Sequence, residues 1–491
     1  MPLCSLLAAR LRASSTFLGS SLSETFVAQA NLGHLQRRGR TSGRRLCRCF
    51  GRQPVEDSAF LGRLSTSDAG HTTSEWSLLL WLAAPLLMGK IADEVSTVGM
   101  IRLWAELGTK ELAAANLAWT WLAFTLVLVQ GVQQALYSIV PQAAGGEKGR
   151  QVSSLLTSSM VWTCVILLLP IAVGWLFLGE FIVWAEKDLE KGNTNPNSTA
   201  TTIDGAVVDI IQSFSTASIS WLFPFIAVTT LTNWLECLEI VSSVSFIAAV
   251  WTVARLVLAY LCMHPLHLGL NGYAYGFAGA CFGQLVTLVL VVFVWRKQHL
   301  EPQKWWFGVG CQAAANPAMN GRLLTLAAPL ALQAALASWH TTIYNMLMAE
   351  YNAEQVAGYG VSDALTGAGG SFSLALYTAT SIRVGVLLGE GRVEGAKLAA
   401  YAGMLYALIF ALVCLLGLLA LATPLSVFFS PEDTQVQSLI EAAIVPVATY
   451  YFLESLKYGL WAVLEGQARV RIATIALIAG HWLVSVPLGF W

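Results

Sequence analysis

Eleven apolar stretches, each long enough to cross a bilayer as a helix, leave this 491-residue sequence little choice of architecture. They run over 76–101, 112–142, 152–182, 206–233, 240–263 and 271–295, and then, past a linker, over 323–349, 356–388, 396–422, 438–464 and 470–491. A helix needs about 20 apolar residues to span the hydrocarbon core. The expected fold class is therefore all-α, a polytopic membrane protein of six and then five spans. Proline and glycine inside several stretches predict kinked helices lining a cavity, which a bundle tolerates where neighbouring groups re-satisfy the backbone.

Composition fits that reading and excludes a soluble domain of this length: charged residues are 12% of the chain, hydrophobic residues 56%, and the mean hydropathy is +0.62. The net charge of −1 says nothing about partners, because the charges are segregated along the chain. A small solute and the bilayer are the expected partners of a monomer, with no nucleic acid. The nine cysteines are scattered, and their one close pair, Cys47 and Cys49, lies in an arginine-rich leader. Neither a zinc site nor a disulfide framework is indicated.

An internal repeat organises the stretches into halves. Leu-Ala-Ala-Pro-Leu occurs at Leu82 to Leu86 and again at Leu326 to Leu330. A helix-starting glutamate follows the proline by 26 residues in the first copy (Glu111) and by 25 in the second (Glu354). An Ala-Leu-Tyr triplet then recurs, at Ala135 to Tyr137 and at Ala375 to Tyr377. Three landmarks in one order predict two homologous lobes offset by about 240 residues, as internal repeats of transporters are. The resulting division is a basic leader at 1–75, an N-lobe at 76–295 with spans 1 to 6, a cytoplasmic linker at 296–322, and a C-lobe at 323–491 with spans 7 to 11, truncated before its last helix.

Residues 1 to about 55 hold nine arginines and a single acid, Glu24, among many serines and alanines. That composition suits a disordered transit peptide, pointing to the plastid (chloroplast) envelope; the alternative is a basic cytoplasmic tail on a vacuolar or plasma-membrane protein. Lys and Arg near the span ends fall mainly in the loops after spans 2, 6, 8 and 10, which places those loops and the N-terminus on the cytoplasmic side. The opposite side includes the polar loop Glu186 to Asp204 with its Asn197-Ser198-Thr199 sequon, which a protein imported into an organelle would never present for glycosylation.

Four motifs carry a family resemblance. Ser381-Ile-Arg-Val-Gly-Val-Leu-Leu-Gly-Glu-Gly-Arg392 resembles the end of the eighth helix in the multidrug and toxic compound extrusion (MATE) family of secondary transporters, in its plant or algal form. Pro141-Gln-Ala-Ala-Gly-Gly-Glu-Lys-Gly-Arg150 is similar to the family's turn after the second helix, Glu106-Leu-Gly-Thr-Lys-Glu-Leu-Ala-Ala-Ala115 to its His-Leu-Gly-x-x-Glu-Leu-Ala-Ala, and Val463-Leu-Glu-Gly-Gln467 to its Val-Leu-Arg-Gly-x. The resemblance covers about 76–491 and implies two helical lobes around a central cavity. Glycines at these turns suit tightly packed helix reversals, and Arg383 and Arg392 are expected to anchor at lipid phosphates or cap helix ends.

Ionisable groups inside spans are costly and so are functional candidates by default. Glu454, eight residues after Pro446 in span 10, matches the acidic residue that binds the coupling cation in bacterial members. Lys457 lies at i+3 on the same face, where it either tunes that carboxylate or merely forms a structural ion pair with it. The family's seventh-helix glutamate falls on Ala337, its neighbour on Thr342, and the first-helix aspartate on Met100. His340, one turn from Ala337, is the expected substitute, as the side chain that titrates nearest neutrality. Asp93 and Glu94 lie mid-span in the first helix, Asp93 on the face of Met100, with Lys90 placed at i−4 to pair with Glu94. Asp363 in span 8 has no near sequence partner; Arg255 and His481 are candidate long-range partners.

Trp305 and Trp306 read as interfacial anchors. Trp119, Trp121, Trp221 and Trp339 lie within spans, where they either stack on a planar organic cation or face lipid.

The expected function is a secondary active antiporter that exports small organic solutes, drug-like or metabolite and cationic, in exchange for H⁺ or Na⁺. H⁺ is favoured because Glu454 with Lys457 and His340 suits a titrating site better than a multi-carboxylate cage. No cofactor or metal beyond the coupling ion is implied. The rival readings are a transport-inactive truncated homologue or membrane scaffold, and an exporter of an organic acid such as citrate or of a lipid-linked precursor. An enzyme is the least expected reading, since the sequence has no His-Glu-x-x-His, no Gly-x-Ser-x-Gly and no phosphate-binding loop.

Overall fold

The computed structural model describes residues 75–146, 149–184, 205–299, 317–348, 353–429 and 434–489. The basic leader, the sequon at Asn197, and Trp305 and Trp306 lie outside the described residues. The described elements are helices: α1 (Glu75–Ala105), α2 (Thr109–Gly145), α3 (Gly149–Val161) continuing through a π-helical turn (Trp162–Leu167) into α4 (Leu168–Leu176), α5 (Gly205–Glu236), α6 (Val241–Met263) and α7 (Gly269–His299). The second half comprises α8 (Pro317–Met348), α9 (Ala353–Glu390), α10 (Val393–Ala420), α11 (Ala422–Phe429), α12 (Thr434–Gly466), and α13 (Val470–Leu477), which passes through a π-helical segment (Ile478–Ser485) into α14 (Val486–Gly489).

Nine described helices are long and apolar enough to cross a membrane. The first stretch forms a helix of full length but carries Lys90, Asp93, Glu94 and Arg102. The apolar segment Val470–Ser485 is shorter than the nine. The division into six and five spans therefore rests on those two helices as well.

Burial is arranged as lipid demands. Large apolar side chains point outward, with Val98 68% and Leu483 71% exposed, while alanines such as Ala375, Ala379, Ala399 and Ala402 fill the helix contacts. With lipid as apolar as leucine, association depends on close backbone approach, which small residues permit.

The helix pairings repeat between the halves. α1 meets α9 as α8 meets α2; α2 meets α5 as α9 meets α12; α1 meets α6 as α8 meets α13. This is a pseudo-twofold arrangement, with α2 and α9 crossing near its axis, and it is the duplication the sequence landmarks predict. Even the turns recur. Leu235 O accepts from Ile240 N and Glu236 O from Glu239 N; Leu464 O accepts from Arg469 N and Glu465 O from Ala468 N. Glu239 and Ala468 take the same left-handed backbone, φ 62° and 58°.

The halves are clamped together at the face where α1 begins and α2 and α9 end. A Cβ on Gly145 would collide with the Val386 carbonyl, and one on Gly389 with that of Gln142. Gln142 Nε2 donates to Gly466 O at 2.8 Å. Leu79, Leu82 and Leu86 of α1 pack with Ala375, Leu376 and Ala379 of α9 on the same face.

Candidate functional site

In the second half, α8, α12 and the π-helical end of α13 assemble a polar cluster. Lys457 Nζ lies 2.8 Å from Glu454 Oε1, and both side chains are largely withdrawn from the surface, 25% and 18% exposed. The ammonium also rests over the rings of Tyr458 (4.9 Å) and Trp461 (5.0 Å). The i+3 spacing thus forms the expected pair, and two aromatic faces add cation–π attraction.

His340 stacks on His481 with ring centroids 4.6 Å apart and planes at 24°. One nitrogen of His340 lies 3.1 Å from Ser485 Oγ, and Tyr344 OH donates to the Ser485 carbonyl at 2.8 Å. Trp482 Nε1 donates to Leu336 O at 3.2 Å, fixing the terminal helix on α8. The charges of Glu454 and Lys457 act on both imidazoles. The structure therefore bonds Lys457 to Glu454 on α12, as the spacing predicts, and pairs His340 of α8 with His481 at the end of α13. His481, a candidate partner of Asp363, stacks on His340. π-helical segments widen the turn and recur at functional sites, and this one carries His481, Trp482 and Ser485 together.

The first-half acids behave differently. Asp93 and Glu94 both stand exposed on α1. Glu94 accepts from Ser371 Oγ of α9 at 3.2 Å, across the seam between the halves. No direct ion pair joins Lys90 to Glu94 or Asp93 among the described residues, which corrects the expected i,i+4 pair. The charge of Lys90 acts instead on Glu236 at the end of α5, with Asp93 opposing it. Met100, which takes the family's aspartate position, is 5% exposed and belongs to the N-lobe core. Asp363 falls within α9, and its side chain lies outside what the structure describes. Arg255 sits 3.4 Å from Ser96 Oγ and over Phe277 at 4.7 Å, inside the first half.

Of the four tryptophans in spans, Trp221 is fully buried, ringed by Trp119, Trp175, Phe225 and Phe277. It is a core residue, neither lipid-facing nor free to stack on a solute, because α2, α5 and α7 pack their aromatic faces inward. Trp121 packs edge-on to Phe181. Trp339 is 38% exposed and stacks on Phe124 across the halves at 5.5 Å.

Arg383 is a second correction. It is buried, not lipid-anchored: Nε lies 2.8 Å from Glu75 Oε2, and Nη1 lies 3.2 Å from Glu239 Oε1. Arg392 does stand at the surface, 57% exposed, beside Glu390 at 3.3 Å.

Sequence reasoning missed a pair of buried carboxyls. Tyr137 OH donates to Glu236 Oε2 at 2.5 Å, and Tyr377 OH donates to Glu465 Oε2. Glu236 is 8% and Glu465 3% exposed. Both tyrosines end the Ala-Leu-Tyr triplets, and Glu465 stands where the resembling motif has arginine, so two signals were present. Cys237, in the turn beside Glu236, feels both carboxyls, and burial first and they second push its thiol well above the ordinary value.

The chain is similar to known proteins in sequence and in fold. The MatE family model matches residues 85–261 and 329–491. The chain is 23% identical over 431 residues to the probable multidrug resistance protein NorM of Deinococcus radiodurans, covering 85% of this chain and 88% of that one. It is 23% identical over 415 residues to Protein DETOXIFICATION 17 of Arabidopsis thaliana, covering 84% and 82%. The crystal structure of the eukaryotic MATE transporter AtDTX14 superposes with a TM-score of 0.69 at 17% identity, over 84% of this chain and 87% of that one. An outward-facing multidrug resistance MATE transporter superposes at 0.68 and 16%, over 84% and 87%.

Proposed function

The chain belongs to the MatE family of membrane transporters, and on that footing we propose that it is a secondary active antiporter exporting a small organic solute in exchange for H⁺. The Glu454–Lys457 pair, within electrostatic reach of the stacked His340 and His481, is the observation that supports this reading. One carboxylate bonded to a lysine, with two stacked imidazoles nearby, offers groups that exchange protons, whereas Na⁺ is a hard cation that favours several oxygen ligands. Proton binding at the cluster and solute binding in the cavity compete, so alternating access moves them in opposite directions. In proteoliposomes, Glu454→Gln should abolish efflux driven by a pH gradient while the protein stays folded. Unchanged efflux, or efflux driven by a Na⁺ gradient alone, overturns the assignment.

An organic-acid cargo is the second reading, and Arg255 favours it. This cation within α6 bonds to no carboxylate among the described residues, and its Nε is buried without a partner. Competition of labelled solute by citrate against competition by a planar organic cation separates the two.

A further inference from the structure

The two buried carboxyls missed by the sequence are equivalent under the repeat and both border α2, Glu236 through Tyr137 and Glu465 beside the Gly466 carbonyl that Gln142 holds. Each ends a long helix on the clamped face, each accepts from the tyrosine of its own half, and each opens a turn with the same hydrogen bonds and the same left-handed residue. Tyr137 is acted on by Glu465 as well as by Glu236, and Cys237 by both. The Gln142–Gly466 bond between the halves runs beside them. The pair therefore sits at the seam near the pseudo-axis.

Its charges do not balance. No cation bonds to Glu465 among the described residues, and its Oε1 is buried without a hydrogen-bond partner. Glu236 feels Lys90 of α1, opposed by Asp93 of the same helix. The other titratable groups facing the pair are Tyr137 from α2, Tyr377 from α9 and Cys237 from the α5–α6 turn, all neutral donors. A carboxylate this deep, without a bonded cation, is strongly disfavoured relative to its protonated form.

We infer that Glu236 and Glu465, with Tyr137 and Tyr377, form a proton-binding site on the seam, occupied while this face is clamped and emptied when it opens to water. The carboxyl O–H bond breaks, the proton passes to water, and the carboxylate left behind keeps its tyrosine hydrogen bond. This site deepens the antiporter reading and rests on it only for the coupling of proton release to transport; occupancy rests on the burial, the tyrosine hydrogen bonds and the unpartnered Glu465 oxygen.

Infrared spectroscopy of the purified full-length protein in lipid vesicles tests occupancy directly. At neutral pH the wild type should show the C=O stretch of buried protonated carboxyls. Glu236→Gln and Glu465→Gln should each remove a share of it, the double variant should remove both shares, and Glu454→Gln should leave both in place. Tyr137→Phe and Tyr377→Phe keep the carboxyls and should shift the frequency of the band, which preserves a readout if a glutamine variant does not fold. A wild type whose band is indifferent to both glutamine substitutions and to both phenylalanine substitutions overturns the inference. If wild-type vesicles move no solute while the band behaves as expected, the antiporter reading fails and the proton site stands.

Discussion

Arg383 holds Glu75 with two nitrogens, Nε to Oε2 at 2.8 Å and Nη2 to Oε1 at 3.1 Å, and so ties the end of the eighth span to the start of the first. The two residues lie 308 positions apart. Planar, two-point recognition of a carboxylate is what distinguishes arginine from lysine. Because the side chains are 10% and 13% exposed, loss of one partner strands the others in a low-dielectric seam. Arg383→Gln should destabilise the folded protein by about 3–5 kcal/mol, the range for a broken buried pair, and Arg383→Lys by less. Thermal unfolding in detergent checks the order; a wild-type midpoint in Arg383→Gln contradicts it.

Glu239 should respond in the opposite sense. Burial pushes its carboxyl above the ordinary value, against the pull of Arg383. A carboxyl raised in the folded state contributes stability that is present below the unfolded value and lost as pH rises through the folded one. Glu239→Gln should therefore leave stability at neutral pH equal or slightly higher, with the difference from wild type vanishing in acid. Glu75→Gln should lose stability at neutral pH. Unfolding midpoints of both variants against pH provide the comparison, and equal losses at neutral pH would count against it.

Trp221 and Trp339 should part company. Trp221 has no exposed surface, and its truncation to alanine should cost about 3–5 kcal/mol, as for other buried aromatics. Trp339→Ala removes one stacked face on Phe124 and should cost about 1 kcal/mol. Folded yield and midpoint distinguish these two, while transport assays ask whether Trp339 also meets the solute.

Gly145→Ala is a test of the clamp itself. The added methyl group meets the Val386 backbone, which cannot rotate away as a side chain can. Overpacking of this kind typically costs about 1–3 kcal/mol. The same change at Gly174, where a Cβ meets open space, should be neutral or slightly stabilising. Equal midpoints for the two alanine variants would be the contrary result.

The sequence showed what local spacing and duplication can show. Leu82–Leu86 and Leu326–Leu330 mark equivalent helices because a repeat copies landmarks in order, and Lys457 meets Glu454 because i+3 is a contact distance on any helix. Lys90 and Glu94 form no ion pair at the same kind of spacing, because spacing places two side chains on one face and does not set where either points. Arg383 looked like a lipid anchor for a similar reason: nothing in the eighth span reveals an acid 308 residues away. The histidine pair was half visible, since His340 stood out alone and its partner arrives through a π-helical segment that leaves no simple periodic signature. Glu465 was visible as a departure from a motif, and its burial was not.

The matching turns that follow Glu236 and Glu465 also set the scale of divergence between the halves. From Tyr137 to Glu236 the chain travels 99 positions, and from Tyr377 to Glu465 it travels 88, yet both routes end in the same hydrogen bond. The first half absorbs eleven extra residues without disturbing either anchor. The two halves thus differ in chain length and agree in where the chain must return, so the anchors and not the path between them carry the symmetry.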